Sequence, residues 1–235
     1  MKKVIFLLNL VLISFYNGQS NTITKTYTSK AEYGIKGNIK EVNTYICKVE
    51  NNKIPADTIN FSRKYVKTFD ENGNSIEDNY LIKNEADIHK IKRIYSGQGK
   101  NMGYKQIYLI GNQKSIEEEY KYIWLDDFTY RDININEENF TQIVKLNKEF
   151  NLNETFLKQG AYECTEKIEN ITKNNKVERT KKIITTKTDD KTVVTYQVEV
   201  VKGYDKFDNP TIIYIYNTLD ESQLKDIIIK KYIYY

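Results

Sequence analysis

Apolar and polar residues alternate along most of the chain, the two-residue period of a half-buried β-strand. Ile59, Phe61, Tyr65 and Phe69 share one parity, with Asn60, Ser62, Lys64 and Thr68 on the other. Val194, Tyr196, Val198 and Val200 line one face of another run, opposite Thr195, Gln197 and Glu199. Between such runs stand Asn51-Asn52-Lys53, Glu71-Asn72-Gly73-Asn74, Gly111-Asn112, Asn174-Asn175-Lys176 and Asp189-Asp190-Lys191, residues that tolerate the backbone of a tight turn. Short links join antiparallel neighbours. The pattern therefore predicts an all-β fold: an antiparallel meander of about ten strands forming a curved sheet or open half-barrel. Helix signals are sparse. Thr218-Leu219-Asp220-Glu221 matches a capping box, and Asn84 to Tyr95 could hold one helix with Ile88, Ile91 and Tyr95 on one side.

The N-terminus breaks the alternation. Lys2 and Lys3 precede an apolar stretch from Val4 to Tyr16, followed by Gly18-Gln19-Ser20. This is the layout of a secretory signal peptide, with cleavage expected after Ser20, and the apolar stretch falls short of the roughly 20 residues that span a bilayer. Residues 1–20 are thus read as the signal and 21–235 as a single β domain without a transmembrane helix. The expected location is exported: periplasm, outer surface or secreted.

Composition narrows the chemistry. The formal net charge of +4 falls by two, to +2, once Lys2 and Lys3 leave with the signal, and lysines and glutamates are interleaved, which argues against a nucleic-acid partner. The chain has 1 His and 2 Cys, too few for a clustered zinc site. In an oxidising compartment Cys47 and Cys164 are candidates for one disulfide, with two separate thiols as the alternative.

Three hairpins share a turn. Phe69-Asp70-Glu71-Asn72-Gly73-Asn74 and Tyr204-Asp205-Lys206-Phe207-Asp208-Asn209 each precede renewed alternation, and Leu146-Asn147-Lys148-Glu149-Phe150-Asn151 is a worn copy. An aromatic or Leu ends the strand, Asp or Asn bonds the turn backbone, and a left-handed position follows. This resembles the YD-repeat (Rhs-like) hairpin, and in particular a group of exported, mostly uncharacterised bacterial proteins carrying a few such repeats. Gly34-Ile35-Lys36-Gly37-Asn38-Ile39-Lys40-Glu41-Val42 and the closing Tyr232 to Tyr235 are similar to their first and last segments. Only Gly73 keeps the motif glycine; Phe150 and Asp208 replace it. The resemblance implies hairpin architecture and export, with Asp70, Gly73, Asn74, Asp205 and Asn209 as turn residues, and no activity.

No catalytic or cofactor set stands out. Asp70 to Asn74 begins like a calcium loop, but its glycine falls at the wrong position and Leu81 stands where the bidentate Glu belongs. His89 has no nucleophile motif beside it. Gly97 to Gly103 lacks Walker spacing. Asp126, Asp127 and Glu138 are nominal candidates for a carboxylate pair. The expected function is an exported cell-envelope binding or structural module, non-enzymatic, that takes an envelope protein or glycan. The alternatives are an extracytoplasmic hydrolase and a small outer-membrane β-barrel, the latter suggested by Ile227, Ile229, Ile233 and the terminal Tyr235 on one face.

Overall fold

The computed structural model describes residues 25–50, 53–55, 57–83, 87–110, 116–137, 139–189 and 191–235. The expected signal peptide, the Asn51-Asn52 and Gly111-Asn112 links, Asp190 and Glu138 lie outside the described residues. A four-residue helix, α1 (Ser29–Glu32), precedes fourteen strands. These are β1 (Ile39–Lys48), β2 (Arg63–Phe69), β3 (Ser75–Lys83), β4 (Ile88–Gln98), β5 (Asn101–Ile110), β6 (Ile116–Trp124) and β7 (Thr129–Asn134). They continue with β8 (Phe140–Leu146), β9 (Leu152–Gln159), β10 (Tyr162–Lys173), β11 (Lys176–Thr188), β12 (Lys191–Tyr204), β13 (Pro210–Tyr216) and β14 (Leu224–Tyr234).

Each strand pairs antiparallel with its sequence neighbour, and β14 pairs with β1 from Asp226↔Lys48 to Ile233↔Glu41, so the meander closes into a barrel. This corrects the expected open sheet of about ten strands. Closure removes the two unpaired edges that an open sheet would present. The expected helix over Asn84 to Tyr95 gives way to β4, whose register with β3 and β5 is continuous. Thr218 to Glu221 forms a turn, in which Thr218 Oγ1 and Asp220 Oδ1 accept from Ser222 N.

Pairing fixes which side chains face inward. One row runs Lys67, Asp78, Arg93, Gln106, Glu118; another runs Tyr95, Tyr104, Tyr120, Asn134. Asp78, Tyr104, Gln106, Tyr120, Asp132 and Asn134 on this face are buried. The opposite parity carries ion pairs in contact with solvent: Lys105–Glu117, Lys145–Glu154 and Lys158–Glu163. Hence the lumen is polar and tyrosine-rich, and charges of both signs cover most of the outer wall. Barrels of about eight strands are filled by side chains, and fourteen leave room for contents.

Candidate functional site

The turns β2–β3, β4–β5, β6–β7, β8–β9, β10–β11 and β12–β13 all lie at the end where β1 begins and β14 finishes. Residues 25–37 cross that end. Thr28 caps α1, its Oγ1 accepting from Ala31 N. Tyr27 is buried in a cluster with Tyr130, Val144, Leu146 and Phe150, its ring edge-on to Trp124 at 4.8 Å. Its hydroxyl donates to Glu32 Oε2 at 2.8 Å, and Tyr130 donates to the same carboxylate at 3.1 Å. Burial nevertheless pushes the Glu32 carboxyl above its ordinary range, because two hydroxyl donors replace less than a full hydration shell.

The three repeat turns hold this segment. Asp70 Oδ1 accepts from Asn74 N, Asn147 Oδ1 from Glu149 N and Asn151 N, and Asp205 Oδ1 from Phe207 N and Asn209 N. The fourth position is left-handed in every copy: Gly73 at φ +85, Phe150 at +63 and Asp208 at +65. Phe150 and Asp208 thus occupy the backbone conformation that the missing glycines would favour. The fifth residue reaches inward from each turn. Asn209 Nδ2 donates to Lys36 O at 2.9 Å and its Oδ1 accepts from Lys36 N at 2.8 Å; Asn151 Nδ2 donates to Ala31 O at 2.7 Å. Asn74 Oδ1 accepts from Gly99 N in the β4–β5 turn, while Gly73 O accepts from Lys30 N. Turns spaced around the rim therefore converge on one peptide, which stands across the barrel as a plug. A cleft of about 720 Å³ remains beside it, bordered by the β8–β9 and β10–β11 turns.

Beyond the plug the lumen holds two cations among tyrosines. Lys67 Nζ lies 4.5 Å from the Tyr33 ring centroid, and the Arg93 guanidinium 4.9 Å from Tyr104 and 5.4 Å from Tyr80. Asp78 Oδ2 accepts from Lys67 at 2.5 Å, Tyr95 at 2.8 Å and Tyr80 at 3.0 Å, while Asp132 Oδ2 accepts from Tyr104 at 2.7 Å. The second oxygen of each carboxylate, Asp78 Oδ1 and Asp132 Oδ1, is buried without a hydrogen-bond partner. Burial pushes the Asp132 carboxyl up to about 6, against the Tyr104 hydrogen bond and the Arg93 charge that favour its anion. Tyr33 is 49% exposed, yet burial within the protein raises its hydroxyl pKa. A ring that borders open space inside the barrel meets both descriptions. Further round the wall, Lys182 pairs with Glu199 at 2.9 Å and Glu166 at 3.2 Å. Burial alone would lower the Lys182 ammonium, but the two carboxylates prevail and raise it.

The sequence-based candidates fall elsewhere. Cys47 and Cys164 are free thiols. Cys47 points outward from β1 and Cys164 inward from β10, and four strands separate them. That is roughly 24 Å of sheet at the usual strand spacing, far beyond disulfide reach. Asp126 and Asp127 belong to the β6–β7 turn, Asp126 accepting from Phe128 N and Asp127 pairing with Lys100, so neither faces the lumen acids. His89 is a half-buried strand residue opposite Ile82. Gly97 to Gly103 spans the β4–β5 hairpin, with Gly97 at φ +86. Among the described residues no group of three His, Cys, Asp or Glu could hold a metal ion. Sequence reasoning misses the lumen acids Asp78 and Asp132, although each is an acid two residues from a tyrosine of the same parity, Tyr80 and Tyr130.

No family model matches the chain, and no curated protein does. Among solved structures it is similar to a porin-like protein from Bacteroides uniformis ATCC 8492, with 8% identity over 84% of this chain and 98% of that one. The TM-score is 0.29, a likeness too shallow to speak for a shared activity.

Proposed function

We propose that this chain is an exported, water-facing β-barrel receptacle, plugged at one end by its own N-terminal segment, whose lumen binds a polar, ring-bearing ligand such as an envelope glycan. The observation that carries the reading is the pair of buried, unpartnered carboxylate oxygens on Asp78 and Asp132 near the half-exposed Tyr33 ring. An orphaned buried acceptor is unfavourable by about 1–3 kcal/mol, and a ligand hydroxyl would relieve it. Tyrosine faces supply flat apolar area against a sugar ring. The plug supports a receptacle over a through-channel. The charged outer wall supports an aqueous setting, because each lysine or arginine at a bilayer midplane is unfavourable by about 2–4 kcal/mol.

Thermal-shift measurements on residues 21–235 with a panel of envelope oligosaccharides test the reading. A ligand that raises the melting temperature of the parent and not of Tyr33→Ala is the expected result. A panel without effect, or a shift that survives Tyr33→Ala, would overturn it. An integral outer-membrane barrel is the second reading, favoured by an even number of antiparallel strands closed with both strand termini at one rim. Heat-modifiable migration in detergent gels and resistance to alkaline extraction would establish that reading in place of the first.

A further inference from the structure

The outer wall is not uniform. On β1 to β10 its outward positions mix lysines with glutamates, as the Lys92–Glu77, Lys105–Glu117 and Lys158–Glu163 pairs record. Across β11 to β14 the outward rows read differently. Arg179, Val200, Tyr214 and Ile227 form one, in which Val200 and Ile227 are buried; Ile183 and Tyr196 belong to another; Ile212 and Ile229 to a third. Ile183, Val194, Tyr196, Ile212 and Ile233 are each between 39% and 49% exposed. The outward charges of these strands are Arg179, Lys181, Lys187, Lys202 and Lys231, with no acid among them. Arg179 is neutralised by Glu221 of the β13–β14 loop. The four lysines have no ion-pair partner among the described residues, and Lys202 and Lys231 lie over the Tyr214 and Tyr45 rings.

We infer that this four-strand sector docks the barrel, on its side, onto an anionic lipid surface. The inference rests on the water-facing reading of the remaining wall. Exposed aliphatic and aromatic side chains bordered by unpaired lysines, with Glu221 held by Arg179 and Glu169 at the edge of the sector, match the interfacial layer of an anionic leaflet, where apolar tips enter and lysine stems snorkel to headgroups. A second copy fits poorly, because a symmetric contact would set lysines against lysines. A phosphate backbone fits poorly too, since five exposed apolar side chains stand among only four unpaired cations. Four strands at about 4.8 Å give a strip roughly 15–20 Å wide, a tangential contact for a cylinder.

The test is flotation of the signal-less chain with vesicles of phosphatidylcholine alone or mixed with phosphatidylglycerol. Binding is expected to the mixed vesicles only and to fall with salt. It should weaken by about five-fold for each of Lys181→Gln and Lys231→Gln, in line with the usual contribution of one lysine near an anionic surface. Tyr196→Asp, at an exposed position, should abolish it, and Lys105→Glu on the mixed wall should leave it unchanged. Circular dichroism of each variant separates lost docking from lost folding. Equal binding to both vesicle types, no binding by a folded chain, indifference to the sector variants, or concentration-dependent dimers in their place would overturn the inference. Ligand binding without vesicles reads the lumen proposal independently. Resistance to alkaline extraction from cell membranes would fail the water-facing reading itself.

Discussion

Replacing Asp132 with Asn should make the protein more stable at neutral pH, the reverse of the usual loss from altering a buried polar residue. Asp132 is 5% exposed, and burial lifts its carboxyl from 3.8 to about 6. Its folded-state pKa therefore lies above its unfolded one, so the fold favours the protonated form. Stability from this group is fully present below about pH 4, declines as pH rises to about 6, and stays at its lower value beyond. A rise of about two pKa units corresponds to roughly 3 kcal/mol. Asn keeps an acceptor for the Tyr104 hydroxyl and carries no charge, so Asp132→Asn should gain on the order of 1–3 kcal/mol at neutral pH. Any amide left unsatisfied adds a pH-independent loss, so the diagnostic quantity is the change in the variant-minus-parent difference between about pH 4 and neutrality. Urea denaturation followed through Trp124, the only tryptophan in the chain, supplies both curves. A difference independent of pH would refute the argument. If Asn gains stability while oligosaccharide binding is lost, the buried charge is retained for the ligand.

Other perturbations separate the plug from the wall. Tyr27→Ala removes the ring packed on Trp124 and the hydroxyl bonded to Glu32; it should lower stability by about 3–5 kcal/mol and red-shift tryptophan emission in the folded protein. Asn209→Ala deletes both hydrogen bonds to the Lys36 backbone, a loss of roughly 1–3 kcal/mol that limited proteolysis should report as faster cleavage within residues 25–37. Thiol titration of the native, unreduced protein should count two free cysteines. Cys164 should react before Cys47, whose thiol is fully buried and pushed up in pKa by that burial.

The strand content was legible in the two-residue alternation, and closure was not. Nothing local to Ile39–Lys48 or Leu224–Tyr234 states that these two segments pair, since the contact joins opposite ends of the chain. Inward polar residues interrupt the alternation in some of the fourteen strands. Asp132 and Asn134 in β7 and Arg93 in β4 blur the apolar face that marks a strand. Those interruptions are the candidate site. A lumen large enough to hold water and ligand does not need the apolar parity of a packed core. The inward polar positions that interrupt the hydrophobic pattern are therefore the positions where a ligand would be read.

The repeat turns show the opposite case, a motif more conserved in conformation than in sequence. Gly73, Phe150 and Asp208 share one left-handed geometry although only the first has the residue that favours it. A non-glycine there is strained by about 1–3 kcal/mol and persists when the surroundings impose it. The surroundings are identifiable: Phe150 is 7% exposed in the Tyr27 cluster, and Asp208 pairs with Lys176 at 2.7 Å. Position one of each turn, Asp70, Asn147 or Asp205, is spent on the turn itself. Position five, Asn74, Asn151 or Asn209, closes the turn and also bonds a peptide beyond it, the plug backbone in two copies and the neighbouring β4–β5 turn in the third. Three hairpins scattered along the chain at uneven spacing thus act together because alternate turns of a closed meander meet at one rim. The apparent irregularity of the repeat in sequence follows from that geometry, since only the ring position of each turn, and not its distance along the chain, decides whether it reaches the plug.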